Sequence, residues 1–265
     1  MRHRRGTVLA VALTILAGAA SAAHINVVTI AGSINPASSD YLQQAIEQSE
    51  ADGAVAVLIE LDTPGGLLAS TKDVIQAILN ARVPIIVYVS PQGAWAASAG
   101  TFITLAGHVA AMAPGTSIGA ASPVSATGGG GEKDDEGKRQ NVSEEKAEKF
   151  TTAFIESIAK ERKRNVEWAM SAVRDAEAIT QDKALEIGVI DLVARDRADL
   201  LRQLEGREVT LKGETRKLEV AGAEMRAIAM TPLTRFFNFL ASPDVAVLLV
   251  MAGLLGLYIE FQQPG

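Results

Sequence analysis

The sequence predicts an α/β fold, on three observations. Three short apolar runs, Ile25–Ile30, Ala54–Leu61 and Pro84–Val89, read as strands, and the last two are apolar almost throughout, as in strands covered on both faces. Between them lie segments whose apolar residues recur at helical spacing. Gly- and Pro-containing turns separate the two kinds of segment, so buried strands alternate with amphipathic helices in stacked β-β-α units.

Taken in order, Gly32, Asn35 and Pro36 break the first strand. Ser39 or Asp40 can cap a helix to about Glu50 that buries Leu42, Ala45 and Ile46. Asp62–Gly66 is a turn, and Leu67–Arg82 a helix with Val74, Ile75, Ile78 and Leu79 inward. After Pro84–Val89, Ser98–Leu105 forms a short helix, and Val109–Met112 and Ser117–Ala120 are extended. Gly128–Gly131 and the charged Glu132–Lys138 form a solvated loop, readable as a surface insertion or as an active-site flap. Ser143–Arg164 is a long helix with Ala147, Phe150, Phe154 and Ile158 on one stripe. Asn165 interrupts it before Val166–Ala176. Thr180–Ile187 is a short helix stopped by Gly188, Val189–Ala194 a strand, and Arg207–Val220 a hairpin around Lys212-Gly213-Glu214.

Composition excludes several functions. With 265 residues, nearly half of them apolar, the chain can bury a real core. A net charge of −6 argues against nucleic acid as a partner. There is no cysteine, which removes disulfides, thiolate metal sites and cysteine nucleophiles. No metal site, nucleotide motif or other cofactor is expected.

Both ends are apolar. Arg2, His3, Arg4 and Arg5 precede the run Val8–Leu16 and then Ala20-Ser21-Ala22, the pattern of a signal peptide cleaved after Ala22, with an uncleaved anchor as the alternative. Either way the body of the chain is expected outside the cytoplasmic membrane. Val245–Ile259 carries no charge and follows Phe236-Phe237-Asn238-Phe239-Leu240. It reads as a membrane segment, cut short where the sequence stops, although it is brief for a ~30 Å hydrocarbon core and Pro243 and Asp244 break any longer run. The expected divisions are a signal at 1–22, a main domain at 23–196, an extension with the hairpin at 197–231, and a membrane-associated segment at 232–265.

The chemistry centres on two segments. Trp95-Ala96-Ala97-Ser98-Ala99-Gly100 places one hydroxyl at the start of a helix. Leu61-Asp62-Thr63-Pro64-Gly65-Gly66 places a glycine turn after the preceding buried strand. Ser98 can be a nucleophile, while Gly65, Gly66 and the Ala99 N–H can bind the oxyanion or substrate, because glycine lets backbone approach a ligand closely. By itself Pro64-Gly65-Gly66 is also an ordinary tight turn. A serine nucleophile needs a base. Of three histidines, His3 lies in the signal, His24 at a flexible mature terminus, and His108 at the far end of the Ser98 helix, ~15 Å away at 1.5 Å per residue. Lysine is the other choice. With Ser143 as N-cap, Lys146 would occupy the third helical position, where unpaired N–H groups disfavour its charge, although Glu144 and Glu145 oppose that effect. A solvated surface lysine is the equally open reading.

These segments, together with Ala111-Met112-Ala113-Pro114-Gly115-Thr116-Ser117-Ile118-Gly119-Ala120 and Ala184-Leu185-Glu186-Ile187-Gly188-Val189-Ile190-Asp191, resemble the membrane-bound ClpP-class serine proteases of the NfeD type, the stomatin-associated branch. The resemblance covers about Ile25 to Asp196. It implies the ClpP/crotonase-like fold and a Ser–Lys dyad of Ser98 and Lys146. It also implies cleavage of hydrophobic segments in membrane-associated proteins, notably of a stomatin-like partner, and at least a dimer. Long members of the family continue into further membrane helices and a small β-barrel that this sequence lacks. Alternatives are an SppA-type signal-peptide peptidase, although Lys72 is the only lysine between the signal and Ser98, and a non-catalytic scaffold for stomatin-rich membrane patches. A crotonase acting on acyl-CoA fits least, because export would remove it from cytosolic CoA.

Overall fold

The computed structural model describes residues 23–123 and 137–262. The expected signal sequence and most of the Gly128–Lys138 loop lie outside the described residues.

Six strands form one wholly parallel sheet: β1 (His24–Ala31), β2 (Ala56–Asp62), β3 (Ile85–Val89), β5 (Val109–Met112), β8 (Leu192–Val193) and β11 (Glu224–Ala227), in the order β11-β1-β2-β3-β5-β8. Its central strands are buried on both faces, which is why their sequences lack alternation. Val57, Ile59, Leu61, Ile85 and Val87 point into one core, shared with α1 (Pro36–Asp52), α2 (Leu68–Asn80), α3 (Ala99–Ala106), α4 (Gly137–Glu161) and α5 (Val166–Arg174). Leu58, Ile86 and Tyr88 point into the other, closed by Leu200 and Leu204 of α7 (Arg197–Leu204) and by Val209 and Leu211 of β9 (Glu208–Leu211). β9 and β10 (Glu214–Lys217) make an antiparallel hairpin. Residues expected as an appended extension therefore cover one face of the main sheet and, through β11, add a strand to its edge.

A second, three-stranded sheet of β4 (Trp95–Ala97), β6 (Ser117–Gly119) and β7 (Ala178–Thr180) is reached from β3 and β5. The units β3-β4-α3 and β5-β6-α4 are the β-β-α repeats the sequence predicts. α6 (Gln181–Glu186) follows β7. The chain ends in α8 (Pro232–Leu240) and α9 (Pro243–Gln262).

Several local expectations are corrected. The first helix is capped by Asn35, not by Ser39 or Asp40. The Asn35 side chain accepts from Ser38 N–H, Ser38 Oγ accepts from Asn35 N–H, and Pro36 supplies the first helical residue, where a missing N–H costs nothing. Pro243 does divide the longer apolar run, between α8 and α9, and is itself the first residue of α9. His24 is not on a flexible end: it lies in β1, buried, with Nε2 3.2 Å from Asp52. Phe150 is 78% exposed, and the buried stripe of α4 runs instead through Ile155, Ile158 and Ala159.

One buried arginine ties these layers together. Arg164 donates to the carbonyls of Leu105 (3.1 Å), Gly107 (3.0 Å) and Val189 (3.3 Å) and pairs with Asp191 at 2.9 Å. Arg162 Nε adds a bond to Ala106 O at 2.7 Å. Orphan carbonyls at the C-terminal end of α3 are thereby satisfied by positive groups, which the helix dipole also favours. Replacing Arg164 by alanine leaves the Leu105, Gly107 and Val189 carbonyls without this donor, while Asp191 keeps Arg207 at 3.1 Å and the Ala110 N–H at 2.7 Å. It should lower unfolding free energy by about 1–3 kcal/mol, read from chemical denaturation, and Arg164→Lys should restore only part because lysine lacks the planar fork.

Candidate active site

Ser98 lies at the junction of β4 and α3, beyond the carboxyl ends of the parallel strands, where open α/β sheets place their sites. Its backbone is at φ 50° and ψ −111°, in the left-handed half of conformational space that a non-glycine residue enters only under constraint. The constraint is visible. Ala97 N–H donates to Thr63 O at 3.0 Å and Ser98 N–H to Gly119 O at 3.0 Å. Thr101 Oγ1 reaches both Ala96 O and Gly119 O at 2.9 Å. A sharp turn from strand to helix thus presents the half-buried Ser98 side chain at a helix N-terminus.

The glycine turn stands against it. A Cβ built on Gly65 would lie 2.8 Å from Ser98 Cβ and 3.2 Å from its Oγ, so only glycine allows the two segments this approach. The Gly65 N–H itself is spent on Thr63 Oγ1 at 3.0 Å. Gly65 therefore makes room for the serine and is not a free donor. Gly66 differs. Ile34 bonds the residues on either side of it, donating to Gly65 O at 2.8 Å and accepting from Leu67 N–H at 2.9 Å. In a parallel pairing this turns the N–H of Gly66 to the opposite side. Among the described residues neither the Gly66 nor the Ala99 N–H meets an acceptor. Ala99 is buried, where a backbone N–H ordinarily finds a partner, whereas Gly66 is exposed and its N–H is open to solvent.

Lys146 is exposed on α4, and no hydrogen bond joins it to Ser98. α4 is already helical at Gly137, so Ser143 is not its cap and Lys146 lies within the helix, away from the terminal N–H groups that were expected to act on it. Eight residues on, Phe154 stacks against Phe102 of α3 with ring centroids 5.9 Å apart. Among the described residues no carboxylate pairs with Lys146. Lys149 is bridged to Glu145 at 2.5 Å, which raises its pKa, and Lys160 to Glu156 at 2.5 Å.

The described histidines, His24 and His108, are both engaged within the fold. His108 Nδ1 accepts from Ile85 N–H at 3.1 Å, and burial, with Arg162 and Arg164 nearby, pushes its pKa down to about 3. Thr63, Thr101 and Gly119, none of them singled out as site residues from sequence, fix the turn. Their signal was present in the quoted motifs, but threonine-to-backbone bonds across three segments are invisible in one dimension. Among the described residues no cluster of side chains could hold a metal ion.

The family model described as NfeD1b, N-terminal domain, matches residues 24–213. This chain belongs to that family. It is 36% identical over 247 residues to the membrane-bound protease PH1510 of Pyrococcus horikoshii, an alignment covering 91% of this chain and 54% of the relative. It is 24% identical over 241 residues to the membrane protein NfeD1b of Bacillus subtilis, covering 91% and 52%. The chain thus spans about half the length of the curated relatives it matches. Its fold is that of the 1510-N membrane-bound stomatin-specific protease. A lysine-to-alanine mutant of that protein, solved in complex with a substrate peptide, superposes with a TM-score of 0.73 at 34% identity, covering 83% of this chain and 98% of that one. A serine-to-alanine mutant gives 0.70 at 35%, covering 80% and 100%.

Two outcomes are expected. Gly66→Ala, whose Cβ would stand 2.0 Å from Ile34 O, should lower the melting temperature more than Gly65→Ala, which costs about 1–3 kcal/mol for its φ of 127° and displaces Ser98. Since His108 is held neutral in the folded chain, the unfolded chain binds the extra proton. Stability should then fall as pH drops from about 6.5 towards about 3, and His108→Gln should flatten that decline in unfolding curves.

Proposed function

We propose that this chain is a serine endopeptidase in which Ser98 attacks the peptide carbonyl. The observation that carries this reading is Ser98 at its positive-φ turn between two acceptor-free amides, those of Gly66 and Ala99. Such donors stabilise an oxyanion as it forms and need not reorganise to do so. Lys146 is the base. It takes the Ser98 proton and returns it to the leaving amine, and water then hydrolyses the acyl-enzyme. The carboxylate pairing of Lys149 and Lys160 supports Lys146 among the lysines of α4, as do the separate serine-to-alanine and lysine-to-alanine variants of the solved relative. No bound metal or organic cofactor enters these steps.

The substrate class follows from the lip of the site. Leu67 and Leu68, next to Gly66, are 58% and 54% exposed, and Trp95, three residues before Ser98, is 54% exposed. Apolar side chains displayed at a nucleophile suit an extended hydrophobic segment. We infer that this segment belongs to a membrane-associated protein of the stomatin kind, that the peptidase works at the membrane on its extracytoplasmic side, and that self-association brings the Lys146 stretch of α4 into a working site. α9 supports the membrane location: its stretch Val245–Gln262 is long and apolar enough to cross, with mean hydropathy 2.0 and none of it buried.

A peptide from the hydrophobic C-terminus of a stomatin-like protein should be cleaved by the parent chain. Ser98→Ala and Lys146→Ala should each reduce the rate by about a thousandfold or more. Cleavage surviving Lys146→Ala would remove the dyad. Failure of the folded, oligomeric parent to cleave would leave a scaffold.

A further inference from the structure

The helix before α9 is built unlike the rest of the surface. α8 has no buried residue, yet Leu233, Phe236 and Phe239 are 65%, 54% and 60% exposed on it, and Phe237 is half exposed beside them. Three phenylalanines in nine residues, all open, are not the surface of a helix that stands in water. The helix is nevertheless well formed: Thr231 caps it through Thr234 N–H at 3.1 Å and Pro232 supplies its first residue. Its other side is docked. Asn238 Oδ1 accepts from Asn35 Nδ2 at 2.8 Å, and Thr234, Phe237, Leu240 and Ala241 line a cleft with Pro36 and Ala37 at the start of α1.

The position of α8 relative to α9 decides what covers the open face. α9 has twenty residues, about 30 Å at 1.5 Å per residue, with its charged residues Asp244 and Glu260 near the two ends. The uncharged run Val245–Ile259 begins directly after Asp244, so a span through α9 starts its hydrocarbon stretch there and Pro243 enters at the membrane boundary. Only Ala241 and Ser242 separate α8 from it. α8 therefore sits at the depth of the lipid headgroups, where short helices with one Phe- and Leu-rich face lie in the plane of the membrane.

We infer that α8 is an interfacial helix whose Leu233, Phe236 and Phe239 face inserts into the headgroup layer and seats the globular domain on the bilayer surface. The inference rests on reading α9 as a membrane span. The seat is short and direct. Asn35, which holds α8, follows Ile34, and Ile34 makes both hydrogen bonds that frame Gly66. The turn that carries the Gly66 amide is thus fastened two residues from the membrane contact, and the cleft is delivered to chains lying in or emerging from the lipid.

The absence of cysteine makes the test clean, since each introduced cysteine carries a unique spin label. The full chain is reconstituted in phosphatidylcholine–phosphatidylglycerol vesicles with labels at Phe236→Cys, Phe239→Cys, Arg235→Cys and Leu254→Cys. Collision with lipid-soluble oxygen is compared with collision with a water-soluble nickel chelate. The expected result is an oxygen-to-nickel ratio at Phe236 and Phe239 several-fold above that at Arg235 and below that at Leu254. Phe236 and Phe239 matching Arg235, with Leu254 deep, would overturn the interfacial helix and leave the span intact. A water-accessible Leu254 would overturn the span, and the inference with it. Labels at Phe236 and Phe239 shielded from both reagents would place a protein surface on α8, a second copy included, and would also overturn it.

Discussion

The left-handed backbone of Ser98 is the constraint on which the site depends. Such a conformation costs on the order of 1–3 kcal/mol and persists only where the surroundings over-determine it. Here the surroundings are three segments that meet at one point. Thr63 O takes the N–H before Ser98, Gly119 O takes its own, and Thr101 Oγ1 bridges Ala96 and Gly119 from the first turn of α3. None of these bonds is local in the chain except that of Thr101 to Ala96. The small sheet β4-β6-β7 exists to bring them together, and its pairing of Ala97 with Gly119 is the register that sets the turn.

The two ends of α3 are held by different physics. At its N-terminus, amides are left open beside the serine. At its C-terminus, carbonyls are closed off by Arg162 and Arg164, whose charges are expensive to bury and are partly offset by Asp191. The helix is therefore anchored at its C-terminus and open at the end that carries Ser98. Burial, with the same arginines nearby, keeps the His108 imidazole neutral, and its Nδ1 lone pair is committed to Ile85.

Glycine choice around the site is also a matter of neighbours. Gly65, Gly66 and Gly119 are each demanded by atoms of another segment: Ser98 for the first, Ile34 for the second and Glu177 for the third. In the sequence all three look like turn glycines. Their stricter purpose is to let backbones cross within van der Waals distance, which lets Ser98 and the glycine turn, from separate strand ends, pack against one another.

The sequence by itself determined the α/β class, the doubly covered central strands, the hairpin, and Ser98 at the head of a helix beside a glycine turn, because each of these follows from periodicity or from residues adjacent in the chain. It misplaced the caps: Asn35 and Pro36 carry breaker chemistry that equally opens a helix, and Gly137–Val142 carries no signal strong enough to show that α4 already runs there. It also treated the Phe150 stripe as core, since periodicity names a face but not what covers it. Only the tertiary structure decided that β11 extends the sheet from almost two hundred residues beyond β1, that Gly65 gives space while the Gly66 and Ala99 amides stay open, and that Asn238 fastens the aromatic helix to the cap of α1. Each of these turns on a hydrogen bond or close contact between residues far apart in the chain. Propensity and pattern act along the chain, and such contacts are settled by which segments the folded layers bring face to face.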